Sequence, residues 1–332
     1  MTDTPLVSVV VPCYNERATI GLLLDALYAQ TYPRQQMEVI IADGRSTDGT
    51  REAIAAWQQA HPDLTVRVVD NPPRIIPAGL NRAIAAARGE IIVRLDAHAV
   101  PAEDYVARSV AALQAGRGDN VGGRWDIRPQ HAGWMARSIA AAAAHPWAVG
   151  DARYRYSQRA GQVDTVPFGA FYRSLVERIG PFDESLLSNE DYEFNARLRA
   201  HGGRIWFDPR IRSVYFARPS LHALARQYWR YGYWKVQMLR RYPHTLRWRQ
   251  LLPPLFVALL VIFALLSPWV WWARGLLALQ AGLYGAVLLG MGLQTAWRAR
   301  APRLFVGVPL AAATMHLAWG AAFWWGLLFP PR

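Results

Sequence analysis

The C-terminal part of the chain is the feature that most limits how this protein can fold. From Leu251 onward there is no acidic residue, and every charged residue is an arginine. These arginines leave three uncharged stretches, 251–273, 275–297 and 304–331. Each is longer than the roughly 20 apolar residues that a helix needs to cross a bilayer, and a buried core helix of that length would normally keep a polar face. The sequence therefore predicts three transmembrane helices, at about 251–273, 275–297 and 304–330.

Basic residues predict on which side of the membrane the rest of the chain lies. Met1–Glu16 lacks the basic start and the cleavage site of a signal peptide, so the part before the membrane helices is expected to stay where it is made. Arg247 and Arg249 precede the first stretch and three arginines separate the second from the third, whereas the first connection has only Arg274. Because cytoplasmic loops carry the excess of Lys and Arg, the sequence predicts a multi-pass protein of the inner (plasma) membrane with a cytoplasmic N-terminal domain. The single cysteine, Cys13, excludes an intrachain disulfide and fits a reducing compartment.

The formal net charge of +13 is concentrated in one segment. Between Arg204 and Arg249 there are eleven Lys or Arg residues and a single acid, Asp208, interleaved with tyrosines and tryptophans. A basic, aromatic segment directly before a membrane helix is typical of an interfacial belt that faces anionic headgroups. The segment 218–250 is therefore predicted to lie at the membrane surface, and no nucleic-acid partner is expected because no zinc-finger or RNA-binding motif is present.

The N-terminal part alternates short β-branched runs with helical patterns. Strands are predicted at 7–11, 39–42, 66–69 and 90–95, and helices at 16–29, 47–60 and 77–87, the second helix capped by Ser46 or Thr47. Such alternation indicates an α/β domain with a mostly parallel, Rossmann-like sheet, on which ligands bind at the carboxyl ends of the strands. Further on, strands are predicted at 121–127 and 165–171, helices at 134–144 and 189–201, and a mobile loop at 145–161.

Three short polar segments stand where predicted strands end. They are Pro12–Glu16 after the first strand, Asp43–Thr50 after the second and Asp96–His98 after the fourth. Each has a simple alternative explanation, since Asp43-Gly44 is a common turn and Asp48 a common acid at a helix start. Their placement on one sheet edge is harder to explain that way and predicts a binding site there.

These segments, in this order, resemble those of the family 2 glycosyltransferases. The resemblance rests on Val7–Glu16, Asp43–Thr50 and Gly89–His98, and it extends over about residues 5–235. It implies the GT-A fold and an inverting sugar transfer. Within the family, Leu95-Asp96-Ala97-His98 and the membrane tail are similar to the succinoglycan-type β-glucosyltransferases, which extend a lipid-linked saccharide.

The resemblance implies a nucleotide-sugar site at the sheet edge. Asp43 matches the acid that accepts from the uracil N3–H in this family. Pro12, Tyr14 and Glu16 are expected to line the nucleotide, and Arg74 to approach the diphosphate. For the arginines of this region, an ion-paired or solvated role remains an alternative.

The metal site implied by the resemblance departs from the family pattern. Asp96 matches the first acid of the Asp-x-Asp motif and is expected to contact both nucleotide-sugar and metal, but His98 stands where the last acid usually does. An imidazole ligates Mn²⁺ more readily than Mg²⁺, which prefers oxygen ligands. The predicted cofactor is therefore a divalent metal, Mn²⁺ rather than Mg²⁺, held by Asp96 and His98; alternatively, His98 only hydrogen-bonds phosphate. Arg94, inside a predicted strand, is unusually placed unless it pairs with an acid.

Two further motifs concern the acceptor. Asn189-Glu190-Asp191 matches the family's Glu-Asp motif, which implies that Asp191 is the base that deprotonates the acceptor hydroxyl and that Glu190 orients it. Acids that simply favour a helix N-terminus are the alternative. Residues 227–231 resemble the Gln-x-x-Arg-Trp motif of processive members, with Tyr in place of Trp. The residues predicted to contact the acceptor or a diphosphate are Gln227, Trp229, Arg230 and Trp234. An interfacial helix that only seats the domain on the membrane is a compatible alternative.

The sequence thus predicts a GT-A domain at 1–217, an interfacial segment at 218–250 and a membrane region at 251–332. The expected reaction is inverting transfer of a hexose, by resemblance glucose, from a UDP-sugar to a polyprenyl-diphosphate-linked saccharide in exopolysaccharide or envelope glycan synthesis. One rival is a processive polysaccharide synthase, for which three helices would form a thin channel. Another is a catalytically silent membrane assembly protein, against which the complete set of acids argues.

Overall fold

The computed structural model describes residues 4–330, so the first three residues of the predicted domain 1–217 and the last two of the chain lie outside it. The chain divides into two compact units. The first unit comprises Met1–Asp126 and Ser157–Tyr215, and the second comprises Ile127–Tyr156 and Phe216–Arg332. This division differs from the predicted one, because the segment Ile127–Tyr156 groups with the C-terminal helices rather than with the N-terminal domain.

The first unit is built on a nine-stranded sheet. Its strands are β1 (Val7–Cys13), β2 (Met37–Asp43), β3 (Thr65–Asp70), β4 (Ile91–Arg94), β5 (Val100–Pro101), β6 (Asn120–Pro129), β7 (Gly161–Gln162), β8 (Ala170–Tyr172) and β9 (Ile205–Ala217). Their order is β3-β2-β1-β4-β8-β6-β9-β5, with β7 beside β9. Strands β1 to β4 are parallel, as predicted, whereas β8 joins β4 and β6 antiparallel and β9 joins β5 and β7 antiparallel. The carboxyl ends of β1, β2 and β4 consequently meet at one edge.

Helices cover both faces of the parallel strands. The helices of the first unit are α1 (Ile20–Tyr28), α2 (Thr50–Ala60), α3 (Ile76–Ala86), α4 (Tyr105–Gln114), α7 (Ser174–Ile179) and α8 (Glu190–Ala200). Val9, Ile40 and Ile92 are fully buried at the centre of the sheet. Continuous β-branched runs are typical of strands buried on both faces, which explains why these strands could be predicted from short sequence runs.

Two local predictions in the first unit are wrong. Helix α2 begins at Thr50 rather than near Ser46, and its cap is Gly49 with φ of 88°. Ser46 is unavailable as a cap because its hydroxyl donates to the Asp43 carboxylate. The predicted strand 165–171 is reduced to β8, since Phe168 and Gly169 have φ of 65° and 92° and left-handed backbone cannot continue a strand.

The second unit is helical. Its helices are α5 (Trp134–Ala143), α6 (Pro146–Val149), α9 (Leu221–Arg241), α10 (Trp248–Leu266), α11 (Trp271–Ala299) and α12 (Leu304–Leu328). Helix α12 packs against α5, α9, α10 and α11. Glycines permit close backbone approach: a Cβ on Gly232 would lie 2.5 Å from the Trp319 carbonyl oxygen, and one on Gly320 2.5 Å from that of Pro253. Small residues at such crossings are typical of membrane helices.

Helices α10, α11 and α12 are the helices of the described chain that are long and apolar enough to cross a membrane. The predicted boundary between the first two is wrong, since the break lies at 267–270 and not at Arg274. Pro268 disfavours helical continuation at Ser267. Arg274 instead lies in the first turn of α11, where its guanidinium donates to the carbonyl oxygens of Ser267 (2.6 Å) and Pro268 (3.0 Å).

The predicted loop 145–161 contains structure of its own. It includes α6 and a single 3₁₀ turn at Arg153–Arg155. Asp151 is the one acidic residue between 127 and 156, and no acid lies between 216 and 332. Its carboxylate pairs with Arg249, at the start of α10. The loop is thereby attached to the helical unit by an ion pair.

Candidate active site

The loops that follow β1 and β2 are joined by hydrogen bonds from their polar side chains. The Asn15 backbone N–H donates to Ser46 Oγ (2.8 Å), and the Thr47 N–H donates to Asn15 Oδ1 (2.9 Å). The Glu16 N–H donates to Thr50 Oγ1 (2.9 Å). These bonds place Tyr14 and Glu16, the predicted nucleotide residues of the first loop, beside the second loop.

Asp43, the predicted uracil acceptor, ends β2 and is fully buried. Its Oδ2 accepts from the Ser46 N–H (3.0 Å) and from Arg51 Nε (2.5 Å), and its Oδ1 accepts from the Ser46 hydroxyl (2.5 Å). Arg51 also pairs with Asp70 (2.6 Å). The carboxylate therefore organises the loop after β2, and its contact with a base stays a prediction.

Tyr14 and Arg74 form an exposed face on the same sheet edge. The Arg74 guanidinium lies 5.3 Å from the centroid of the Tyr14 ring, a cation–π distance, and its Nε donates to the Gly44 carbonyl oxygen (3.0 Å). Tyr14 is 42% exposed, and Pro12 is half-buried at the end of β1. The face offers an aromatic ring and a cation, which suit a nucleobase and a diphosphate.

Glu16 and His98 connect the loops after β1 and β4. His98 Nδ1 lies 3.0 Å from Glu16 Oε1. Burial raises the pKa of Glu16, but hydrogen bonds from His98 and Thr19 outweigh it and hold the pKa below its usual value. Glu16 is therefore ionised near neutral pH and can orient the imidazole.

Asp96 and His98 are the residues that the sequence predicts as ligands of a divalent metal. In residues 4–330, no group of three or more His, Cys, Asp or Glu side chains could hold a metal by itself. The Asp96 and His98 side chains are nevertheless 27% and 42% exposed and separated by one residue. A carboxylate and an imidazole form a donor set suited to Mn²⁺, and diphosphate oxygens would complete it. The residues thus fit a metal shared between protein and nucleotide.

Arg94 is buried between the acids of the site, with its side chain 3% exposed. Its NH2 lies 3.0 Å from Asp96 Oδ1 and 3.5 Å from Glu190 Oε1, and its NH1 lies 2.9 Å from Asp191 Oδ2. Burial would lower the pKa of Arg94, but these carboxylates outweigh it and raise the pKa. Arg94 therefore stays charged and joins Asp96, at the carboxyl end of β4, to the start of α8.

Glu190 and Asp191 open helix α8 after Asn189, whose φ of 70° turns the chain into the helix. Their side chains are 10% and 23% exposed. Asp191 Oδ1 is buried without a hydrogen-bond partner among the described residues, and the Phe168 backbone N–H interacts with the carboxylate and lowers its pKa. Burial, with further contributions from Glu190 and Asp96, raises the pKa of Asp191 to about 7 even though Arg94 opposes the shift. A carboxylate with a pKa near neutrality is suited to act as a general base.

The third acid of α8 has a structural role. Glu193 is fully buried and pairs with Arg197 (2.7 Å) one turn along the helix.

Sequence reasoning missed Arg51 and Phe168. Arg51, next to the polar segment 43–50, could have been suspected from that position, but Phe168 could not, because its ring lies 5.1 Å from the Arg94 guanidinium only through left-handed backbone.

The predicted acceptor residues lie on α9 in the second unit. Gln227 is buried and its Nε2 donates to the Tyr231 hydroxyl (3.0 Å). The Trp229 ring, 40% exposed, lies 6.3 Å from that of Trp325, and Arg230 is exposed. Trp234 is half-buried, with its ring 5.8 Å from Tyr233. Their contact with an acceptor stays a prediction.

The parallel strands, the antiparallel second half of the sheet and the acids at the ends of β2 and β4 define a GT-A glycosyltransferase. The chain belongs to glycosyl transferase family 2, whose family model matches residues 8–180. It is therefore an enzyme that transfers a sugar.

Two curated relatives match along nearly the full chain. One is the succinoglycan biosynthesis protein ExoA of Rhizobium meliloti (strain 1021), 35% identical over 326 residues that cover 96% of this chain and 94% of ExoA. The other is a dolichyl N-acetyl-α-D-glucosaminyl phosphate 3-β-D-2,3-diacetamido-2,3-dideoxy-β-D-glucuronosyltransferase of Methanococcus voltae, 25% identical over 325 residues that cover 97% of each chain.

A solved structure matches both units of the chain. It is the mannosyltransferase PcManGT from Pyrobaculum calidifontis in complex with GDP-Man and Mn²⁺, with 26% identity and a TM-score of 0.60. The match covers 95% of this chain and 88% of the mannosyltransferase.

Proposed function

We propose that this enzyme transfers a hexose, most simply glucose, from a UDP-sugar to a hydroxyl of a polyprenyl-diphosphate-linked saccharide, with inversion at the anomeric carbon. The product is a longer lipid-linked saccharide for exopolysaccharide or another envelope glycan. Similarity to ExoA supports the pathway class, and the dolichyl phosphate named for the Methanococcus voltae relative supports a lipid-linked acceptor.

The geometry of Asp191 is the observation on which the proposal mainly rests. Its Oδ2 is held by Arg94 at 2.9 Å, while its buried Oδ1 has no hydrogen-bond partner in the described chain. The Asp191 side chain as a whole is 23% exposed, so an acceptor hydroxyl would approach the carboxylate from its exposed side. In the reaction, the hydroxyl proton passes to Asp191 as the hydroxyl oxygen bonds to the anomeric carbon. The bond from that carbon to the diphosphate breaks on the opposite face, and its electron pair leaves with UDP.

The donor would bind at the edge formed by the ends of β1, β2 and β4. Tyr14 and Arg74 would contact the base and the diphosphate, and Pro12, Glu16 and Asp43 would shape the surface around the nucleotide. Asp96 and His98 would hold a divalent metal, with Mn²⁺ favoured by the imidazole ligand and by the Mn²⁺ in the PcManGT complex. When bound, this metal would neutralise the departing diphosphate.

The second unit would bring the enzyme to its acceptor. Helices α10, α11 and α12 would anchor it in the inner membrane, with the catalytic unit on the cytoplasmic side, where the nucleotide-sugar is available. Confining enzyme and lipid-linked acceptor to one headgroup layer raises their encounter frequency. Gln227, Trp229, Arg230 and Trp234 on α9 are proposed to contact the acceptor saccharide or its diphosphate.

The test is sugar transfer by the full-length protein in nanodiscs. A panel of UDP- and GDP-sugars is offered with a polyprenyl-diphosphate saccharide extract, in the presence of Mn²⁺ or chelator. Asp191→Asn is compared with Asp63→Asn, a control acid that is 43% exposed and pairs with Arg34. Removing a general base typically costs about 10²–10⁴-fold in rate, so we expect Asp191→Asn to lose at least about 100-fold and Asp63→Asn to match the wild type.

The outcomes separate the proposal from its rivals. One UDP-hexose, consumed only with metal and added once per acceptor with an inverted linkage by NMR, would support it. A ladder of long products would indicate a processive synthase, and turnover of GDP-sugars alone would refute the UDP assignment. If no donor were bound by calorimetry, an assembly role would replace catalysis.

A further inference from the structure

Arg94 is a charged residue in a position where sheet proteins rarely place one. It ends the central parallel strand β4, and its side chain is 3% exposed. Burying an unpaired charge is very costly, so such a residue persists only where partners compensate it. Its neighbours Ile92 and Val93 are fully buried and apolar, so the guanidinium needs partners beyond the end of the strand.

The partners of Arg94 come from two separate segments. Asp96 follows β4 directly, and Glu190 and Asp191 belong to the first turn of α8, almost a hundred residues further along the chain. The two terminal nitrogens contact different acids. NH1 contacts Asp191 at 2.9 Å, and NH2 contacts Asp96 at 3.0 Å and Glu190 at 3.5 Å. One cation thus balances three acids.

The guanidinium is itself held in orientation. The Arg94 backbone N–H donates to the Gly169 carbonyl oxygen (2.9 Å), and the Phe168 ring lies 5.1 Å from the guanidinium carbon. Its Nε has no hydrogen-bond partner in residues 4–330; NH2 donates to Glu190 Oε1 (3.5 Å), and the contacts with Asp96 and Asp191 are ion pairs. A planar fork can reach acids on two sides at once, whereas a lysine ammonium acts as a single point charge.

We propose that Arg94 is the positioning residue of the active site: it holds the Asp191 carboxylate through Oδ2 and ties this base to the donor-side Asp96. The inference rests on the proposed function in taking Asp191 as the base. The distance between the base Asp191 and the donor-side Asp96 is then set by one arginine of the sheet.

Loss of Arg94 should therefore affect the chemical step more than nucleotide binding. Without the cation, Asp191 would be repelled by Asp96 and Glu190 and would leave its position. Misplacement of a reacting group by about 1 Å can cost about 100-fold in rate. We expect Arg94→Ala to reduce turnover at saturating donor about 100-fold, while the Kd of the UDP-sugar changes less than about threefold.

The experiment compares variants of the full-length protein in nanodiscs. Arg94→Ala and Arg94→Lys are assayed for transfer rate, UDP-sugar Kd by calorimetry and melting temperature. The matched control is Arg67→Ala, which removes another strand arginine paired with a buried acid, Glu38, at 2.8 Å. The control should keep the wild-type rate even where its melting temperature falls.

Three readouts distinguish positioning from a merely structural role. Added guanidinium should partly restore Arg94→Ala by occupying the vacated space. Arg94→Lys should fold like the wild type and recover only part of the rate. In an Asp191→Asn background, Arg94→Ala should cost little further, because residues that act as a unit are not additive.

The outcomes test the positioning role of Arg94 separately from the role of Asp191 as the base. A folded Arg94→Ala or Arg94→Lys with the wild-type rate would overturn the role of Arg94, as would loss of nucleotide binding with an unchanged rate at saturation. If Arg94→Ala does not fold, the rate of Arg94→Lys and its dependence on Asp191 decide alone. An active Asp191→Asn would instead refute the base assignment of the proposed function.

Discussion

The raised pKa of Asp191 predicts how the transfer rate depends on pH. A general base must be unprotonated to act, so the rate falls as the pH drops through the pKa. With a pKa of about 7, roughly nine-tenths of the Asp191 carboxyls are ionised at pH 8 and roughly one-tenth at pH 6. The rate should therefore fall about tenfold over that interval, whereas an aspartate of ordinary pKa near 3.9 would give a flat profile.

The physical origin of the shift lies in the surroundings of Asp191. Burial contributes most and the negative charges of Glu190 and Asp96 add to it, whereas the Arg94 guanidinium and a hydrogen bond from the Phe168 backbone oppose it. Tyr105, whose own pKa burial raises well above its usual value, stays neutral throughout this range. Asp191 is therefore expected to change charge near pH 7.

The assay is release of UDP in single turnovers between pH 5.5 and 8.5, at about one-half unit intervals and saturating donor, so that the chemical step is observed. The exposed-acid control Asp63→Asn should keep the inflection. A flat profile between pH 6 and 8 would contradict the reasoning. So would an inflection near 7 that persists in the residual rate of Asp191→Asn, because another group would then be titrating.

Three further predictions concern the sheet, the donor loop and the metal. Gly123→Ala should destabilise the protein by about 2–3 kcal/mol, because the new Cβ would overlap the Ile211 carbonyl oxygen. The control is Gly161→Ala, whose Cβ meets no atom within 4 Å. Equal melting temperatures of the two variants would contradict this prediction. Asp43→Ala should raise the UDP-sugar Kd about tenfold, the loss of one or two net hydrogen bonds, without changing the rate at saturation; calorimetry with an unchanged Kd would show that the loop does not need this acid. His98→Ala should raise the half-saturating Mn²⁺ concentration about tenfold or more, and an unchanged metal titration would exclude His98 as a ligand.

Much of the fold could be predicted because its signals are local. Runs such as Val7–Val11 specify buried strands wherever both faces of a sheet are covered, and uncharged stretches longer than about 20 residues specify helices that can enter a membrane. The polar segments after β1, β2 and β4 could be assigned to one edge because parallel strands share their carboxyl ends. Asp96 and His98 could therefore be predicted as site residues from their place at that edge, whereas Glu190 and Asp191 were predicted only from the resemblance to the family.

The sequence by itself determined the strands of the parallel half, the acids that follow them and the apolar helices, since the hydrophobic pattern of each element needs only neighbouring residues. Only the tertiary structure decided what those acids contact. Asp43 is occupied by Ser46 and Arg51, Arg94 meets acids almost a hundred residues away, and the segment Ile127–Tyr156 groups with the C-terminal helices. Each of these depends on contacts between distant segments, which form only when the whole chain is packed and which local sequence therefore does not encode.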